Sequence, residues 1–180
     1  TPFSWIHLDL TREETRTWIK SAFEKTVSDH LLEPETRPRY EPFGSGVLVN
    51  LRGVNLNEGS DIEDMVALRL WITDDVLITA RLRKLRTVET LHERFESSGI
   101  TSSWSTLVAL ADGLTDRIAT ALAEVDDKVD MLEEVMVDRS PDISHDVTMM
   151  RKQVIKLRRF VGPQRVALTK ISADERLSNK

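Results

Sequence analysis

The stretch that decides the fold is MVALRLWITDDVLITARLR, residues 65–83. Two runs rich in aliphatic and β-branched side chains flank the polar triplet Thr73-Asp74-Asp75. Two such runs around a short polar turn that contains Asp are typical of a β-hairpin. We therefore predict paired strands over 65–72 and 76–82.

Flanking patterns extend this hairpin into a mixed α/β unit over residues 1–100. Period-two alternation and turn signals predict three further strands, near 3–10, 36–42 and 46–54. Thr11 and Glu14 form a capping-box pattern that opens a predicted helix over 11–28. The buried positions predicted for that helix are Trp18, Ile19, Phe23 and Val27. Another helix is predicted over 86–98.

The segment VLVNLRGVNLN, residues 47–57, contains a Gly-Val-Asn triplet of the kind found in some ion pores. A pore motif would have to end a long apolar helix, whereas polar residues surround this triplet on both sides. Gly53 within a strand pattern instead indicates a β-bulge, and the run from Asn55 to Gly59 indicates a turn. The local prediction is a strand followed by a turn.

Residues 101–180 are predicted to form a long helical hairpin. Apolar side chains recur at steps of three and four over about 102–138, at Leu107, Ala111, Leu114, Ile118, Ala121, Val125, Val129, Leu132 and Met136. Ser140-Pro141 then resembles the start of a second helix over 142–172, with a kink expected at Gly162-Pro163. A short connection makes the two helices antiparallel. The fold class predicted is therefore α+β, a mixed sheet unit followed by the hairpin.

Charge divides the two helices of this hairpin. The first carries an acidic cluster, Glu124, Asp126, Asp127, Asp130, Glu133, Glu134 and Asp138, whereas residues 147–173 contain basic side chains and no acid. Three interpretations remain open: charge complementarity across the hairpin with a solvated face, a basic surface for nucleic acid, and an acidic surface that attracts cations. The net charge of −5 argues against nucleic acid as the main partner.

Composition and motifs argue against several other classes of protein. The chain has no cysteine, which excludes disulfides and thiolate metal sites. No apolar run approaches the roughly 20 residues needed to span a bilayer. The sequence contains no phosphate-binding loop, no G-x-S-x-G and no H-E-x-x-H motif. We therefore expect a chain that is not an enzyme and has no resident cofactor.

Two groups of side chains are candidate metal ligands. The larger group lies on the first hairpin helix and comprises Asp126, Asp127, Asp130, Glu133 and Glu134. A divalent cation relieves the repulsion between crowded carboxylates, but oxygens from one straight helix converge from one side only. Such a site is expected to be weak, unselective and hydrated. His7 and Asp9, two apart on a predicted strand, could instead bridge a metal or make a structural hydrogen bond.

Five runs together resemble one known family. They are RPRYEPFGSGVLVNLRGVNLN, EDMVALRLWIT, VLITARLRKLRTVETL, ALADGLTDRI and LRRFVGPQR. In this order they resemble the cytoplasmic funnel domain of the CorA-type divalent-cation transporters, and within them the zinc-transporting, ZntB-like branch. The resemblance covers essentially all 180 residues.

This resemblance implies an α/β/α layered domain in a homopentamer on the cytoplasmic side of the bacterial inner membrane. Attachment to the membrane would use a stalk and two transmembrane helices that have no counterpart here, so no pore motif is expected in this chain. The implied function is assembly, cation collection and coupling to gating, with Zn²⁺ or Mg²⁺ as the transported or regulatory ion. On its own the chain is expected to be at most weakly self-associated. The alternative is a soluble helical-hairpin interaction module without a transport role.

Overall fold

A mixed five-stranded sheet forms the centre of the protein. The computed structural model describes residues 3–137 and 144–178. The strands, in chain order, are β1 (Ser4–Asp9), β2 (Arg39–Phe43), β3 (Gly46–Gly53), β4 (Val66–Ile72) and β5 (Val76–Arg81). Their order across the sheet is β1-β5-β4-β3-β2. β1 runs parallel to β5, and the other neighbouring pairs are antiparallel.

The predicted hairpin is confirmed. β4 and β5 pair antiparallel with Ile72 opposite Leu77, and the Thr73 amide donates to the Val76 carbonyl at 2.9 Å. Every residue of β4 is buried, because helices cover both faces of the sheet at its centre. The second strand begins at Arg39, three residues later than the predicted 36.

The single helix predicted over 11–28 is wrong. Two helices, α1 (Glu13–Ala22) and α2 (Lys25–Leu32), meet at an extended Phe23, whose φ is −123° and ψ is 153°. The Ser28 hydroxyl donates to the Ile19 and Phe23 carbonyls, at 3.0 and 3.1 Å, and so closes the break. Hydrogen bonds made by a serine side chain to nearby carbonyls are a local alternative to a continuous helix.

The start of α1 also differs from the prediction. Arg12 occupies the N-cap position, and the Thr11 hydroxyl donates to the Asp9 carboxylate at 2.7 Å rather than capping the helix. Ile19 is fully buried as predicted, but Trp18 is 41% exposed and packs its ring edge against Phe23. The predicted burial of Trp18 is therefore wrong.

Two long helices follow the sheet as predicted. α3 (Arg86–Glu93) and a 3₁₀ turn at Phe95–Ser97 occupy the region predicted as a helix over 86–98. α4 (Ser103–Val137) and α5 (Ser144–Ser172) form the hairpin, and a short helix α6 (Glu175–Ser178) follows. α5 runs through Pro163, and the kink there stays a prediction. The predicted cap at Ser140-Pro141 lies outside the described residues.

The helices cover the sheet as an α/β/α sandwich. On one face α1 and α2 pack against Leu48, Trp71 and Ile78. On the other face α3, α4 and α5 pack against a larger cluster that includes Val49, Leu51, Leu68 and Leu70. Along the hairpin, Leu107 to Leu114 share a cluster with Ala167 and Ile171, whereas Ile118 to Val125 share one with Leu157, so the two helices are antiparallel.

Gly53 does not form the predicted bulge. It pairs in regular register with Val66, at the end of β3. A Cβ atom at Gly53 would lie 2.6 Å from a methyl of Leu114 and 2.7 Å from a methyl of Leu85. The glycine is therefore explained by the close approach of α4 to the strand. The turn predicted after it is present, with the Ser60 amide donating to the Asn57 carbonyl and Gly59 at φ +72°.

Candidate functional site

The predicted acidic ligands lie together on the part of α4 that projects beyond the core. Val125 is 3% exposed and belongs to the third hydrophobic cluster. After it come Asp126, Asp127, Asp130, Glu133 and Glu134, all of them exposed. None of the five makes an ion pair within 4.0 Å among the described residues. The result is a solvated surface with an excess of negative charge, since Lys128 is the one basic side chain within residues 124–134. It is here called the α4 acidic surface.

The basic side chains of α5 do not neutralise this surface directly. Within residues 3–137 and 144–178, Lys156 is the α5 residue that forms ion pairs, and its partners are Glu63 at 3.7 Å and Asp64 at 3.6 Å. Gln153 adds a hydrogen bond to Glu63 at 3.0 Å. Both acids belong to the connection between β3 and β4, so the direct ion pairs of α5 lead to the sheet unit and not to α4.

The α4 acidic surface does not enclose a metal ion. In the described part of the chain, no three His, Asp or Glu side chains converge as a metal-binding group. Carboxylates spread along one helix leave most coordination positions to water, which suits a hydrated divalent ion better than a structural one. Metal binding by these five residues stays a prediction.

His7 and Asp9 are both engaged at the β1–β5 edge. His7 makes a 2.8 Å hydrogen bond through Nδ1 to the Thr79 hydroxyl, and its Nε2 accepts from Arg81 Nε at 3.2 Å. Arg81 also pairs with Asp9 at 3.4 Å, and the Thr11 amide donates to the same carboxylate at 2.9 Å. A metal would have to displace Arg81 from both residues. The geometry favours structural hydrogen bonds, and a metal here stays a prediction.

The charge states of this pair follow from their partners. Burial first, and then the nearby Arg81 guanidinium, lowers the pKa of His7 to about 4, so its imidazole is neutral at physiological pH. Hydrogen bonds from the Thr11 hydroxyl and amide lower the pKa of Asp9 below its usual value. The histidine therefore serves as a neutral acceptor for Arg81.

A second site, absent from the sequence-based predictions, is a cavity of about 680 Å³ between the sheet and α5. Its walls come from five segments: residues 34–37, the end of β3, residues 63–69 in and before β4, residues 82–83 after β5, and the middle of α5. Five arginines are among its lining residues: Arg37, Arg52, Arg69, Arg83 and Arg159. We call it the arginine cavity.

Two of these arginines are anchored by backbone carbonyls. Arg69 is 1% exposed, and its Nε and Nη2 atoms donate to the Glu33 carbonyl at 3.0 and 2.7 Å. Arg52 donates to the carbonyls of Met65 at 2.7 Å and Thr36 at 2.5 Å. Its guanidinium also lies 4.3 Å from the centre of the Phe160 ring.

Burial lowers the pKa of both of these guanidinium groups. Burial, and then the proximity of Arg69 and Arg159, lowers the pKa of Arg52 to about 10. Burial likewise lowers the pKa of Arg69 below its usual value. The sequence signal for this site is an arginine inside each of two strands that are otherwise buried and mostly apolar, NLRG and VALRLWI.

The sequence matches the family described as CorA-like Mg²⁺ transporter protein over residues 2–180. The chain belongs to this CorA-like family. It is similar to the zinc transport protein ZntB of Yersinia enterocolitica, with 31% identity over 176 residues, which cover 96% of this chain and 54% of that protein. It is also similar to the divalent cation transporter CmaX of Pseudomonas aeruginosa, with 36% identity over 167 residues, 89% of this chain and 50% of that protein.

Solved structures agree with the sequence comparison. The structure of full-length CmaX matches 95% of this CorA-like chain and 54% of the CmaX chain, with 34% identity and a TM-score of 0.87. The ZntB cytoplasmic domain of Vibrio parahaemolyticus matches 95% of this chain and 69% of its own, with 26% identity and a TM-score of 0.82. The chain spans about half the length of the curated relatives it matches. Within the described residues, no helix is both long and apolar enough to cross a bilayer.

Proposed function

We propose that the chain is the cytoplasmic part of a divalent-cation transporter subunit, which collects cations and couples their presence to gating. The observation that carries the proposal is the continuous likeness to a ZntB cytoplasmic domain along nearly the whole chain. The cation is Zn²⁺ or Mg²⁺, and the complete protein is a homopentamer at the bacterial inner membrane. The family is one of transporters and not of enzymes.

The α4 acidic surface supports the collecting role. Its five carboxylates are exposed and make no direct ion pair among the described residues, so the surface keeps an excess of negative charge in contact with solvent. A surface of one sign raises the local concentration of ions of the opposite sign. Weak binding also suits a transporter, because a collected ion has to be released again.

A double hydrogen bond supports coupling between the hairpin and the sheet. The Gln164 side chain of α5 accepts from the Arg52 amide at 2.6 Å and donates to the Arg52 carbonyl at 2.9 Å. The amide group thereby fixes one point of α5 against the end of β3. A movement of the hairpin produced by cations on α4 would act on the sheet through this contact.

The test is cation uptake by the full-length protein in proteoliposomes, with Zn²⁺ and Mg²⁺ assayed separately. The test variant carries Asp127→Asn, Asp130→Asn and Glu134→Gln. We expect uptake at low cation concentration to fall severalfold while the maximal rate is retained, because the surface concentrates ions and does not form the pore. The matched control is Asp112→Asn with Asp116→Asn, two exposed acids on the core-packed part of α4.

Two outcomes would contradict the proposal at different points. Unchanged uptake by the triple variant, or an equal loss in the control, would reject the collecting role of this surface. Absence of any uptake by the unaltered protein would reject transport. That outcome would favour the alternative, a helical-hairpin interaction module, which is supported by exposed apolar side chains on α5 such as Ile155 and Val166, at 59% and 57% exposure.

A further inference from the structure

We infer that the arginine cavity binds a phosphate-bearing small molecule, held by Arg52 and Arg69 from the sheet and by Arg159 from α5. None of the five lining arginines has a carboxylate partner within 4.0 Å among the described residues. Guanidinium groups that share one cavity without direct ion pairs are costly unless an anion joins them. The cation-collecting role proposed above uses none of these residues.

Unused hydrogen-bond donors point to the same ligand chemistry. Arg69 Nη1, Arg52 Nε and Thr36 Oγ1 are buried and have no partner among the described residues. All three residues line the cavity. A buried donor without an acceptor costs free energy, so such groups are expected to find one. A phosphate group offers several acceptor oxygens in a geometry that matches the fork of a guanidinium.

Charge and size favour a ligand with more than one negative charge. The lining contains six basic side chains, the five arginines and Lys156, against three acids, Glu35, Glu63 and Asp64, so a surplus of positive charge remains. Lys156 is shared between Glu63 and Asp64. The volume of about 680 Å³ lies within the range of about 300–1,000 Å³ usual for small-molecule sites. A diphosphate or triphosphate, up to the size of a nucleotide, fits both the surplus charge and the space.

The position of the cavity gives the binding event a structural consequence. Arg52 and Arg69 belong to β3 and β4, whereas Arg159 and Phe160 belong to α5. A phosphate group that contacts both sets joins the sheet to the hairpin. Because a ligand that binds the folded state alone stabilises it, binding should raise the unfolding temperature.

The test uses the 180-residue chain with pyrophosphate as the probe, in calorimetry and thermal unfolding at constant ionic strength. We expect saturable binding and a rise in Tm. Arg159→Glu should weaken binding at least tenfold. The matched control is Arg158→Glu, the adjacent exposed residue of α5, which does not line the cavity and should keep its affinity within about twofold. Arg69→Lys retains the charge but loses the fork, and should also weaken binding at least tenfold while remaining folded.

The outcomes separate the proposal from its competitors. No pyrophosphate binding at millimolar concentration, or equal weakening in the Arg158 and Arg159 variants, overturns it. Citrate that binds as tightly as pyrophosphate overturns the assignment to phosphate. In a parallel experiment, vesicles containing phosphatidic acid replace pyrophosphate. If the protein binds these vesicles in a way that depends on Arg159 but does not bind free pyrophosphate, the ligand is a lipid headgroup and the proposal of a small molecule is wrong.

Discussion

At the start of β3, Gly46 sits where no side chain fits. A Cβ atom there would lie 2.3 Å from the Ile72 carbonyl oxygen and 2.6 Å from the Trp71 ring. The backbone oxygen cannot move away without disturbing the β3–β4 pairing. We therefore expect Gly46→Ala to lower the free energy of unfolding by about 1–3 kcal/mol.

Gly162 of α5 provides the matched comparison for this glycine. Its added Cβ would meet no atom within 4 Å outside its own helix backbone and its two chain neighbours, of which Pro163 is one. The helix preference of alanine over glycine, about 1 kcal/mol, is opposed there by the clash between the proline ring and a Cβ on the preceding residue, so Gly162→Ala should change the free energy of unfolding less than Gly46→Ala. Urea unfolding of both variants measures the two changes, and a loss at Gly162 as large as that at Gly46 would contradict the packing argument.

Buried His30 should make stability depend on pH. Its Nε2 is 3.2 and 3.1 Å from the carbonyls of Val49 and Leu70, and Arg39 donates to its Nδ1 at 3.0 Å. Burial first, and then Arg39, lowers the pKa of His30 to about 4. Between about pH 6.5 and pH 4, His30 binds a proton in the unfolded chain but not in the folded chain. The free energy of unfolding therefore falls as the pH falls through this range.

The expected slope from this one residue approaches 1.4 kcal/mol per pH unit and ends near pH 4. Urea unfolding at intervals from pH 7.5 to 4.5 measures it. His7 contributes in the same direction, because its pKa is lowered similarly. The His30→Gln variant should therefore show a shallower but not a flat dependence, and a slope identical to that of the unaltered protein would refute the assignment.

Among the secondary-structure elements, the acidic part of α4 supports a direct binding prediction. Calorimetry of the isolated chain should show weak, unselective binding of Zn²⁺ and Mg²⁺, because carboxylates from one helix supply few ligands and water supplies the rest. Substitution of Asp127, Asp130 and Glu134 by Asn or Gln should abolish it. Tight zinc binding that disappears in a His7→Ala variant would contradict this prediction, because it would place the metal on β1 and not on α4.

How far the sequence predicts an element depends on whether its signal is local. The 65–82 hairpin and the two long helices were predicted because their periodicity is continuous and tertiary contacts reinforce it. The break at Phe23 depends on a serine hydroxyl that reaches back to two carbonyls, a contact that apolar spacing does not encode. The arginine cavity depends on five separate segments meeting, and its sequence signal is limited to the arginines within NLRG and VALRLWI.

At the scale of the whole molecule, many of the exposed large apolar side chains lie on the helical hairpin. Exposed apolar side chains of α5 include Val147, Met149, Val154, Ile155 and Val166. Spread along a helix beside basic residues, they should support only weak association. Light scattering at micromolar concentration should therefore give a mass close to that of one chain, 20.5 kDa. A stable pentamer of this chain would show that its own surfaces suffice for assembly.

The parallel pairing of β1 with β5 predicts an order of assembly. Strands β2 to β5 are neighbours in sequence as well as in the sheet, so each can pair as soon as it leaves the ribosome. β1 has to wait for Val76–Arg81, its partner, and closing that long loop carries an entropic cost that local hairpins avoid. Of these five strands, β1 is synthesised first and is expected to join the sheet last. Until it does, β5 presents an unpaired edge to which another nascent chain could add a strand.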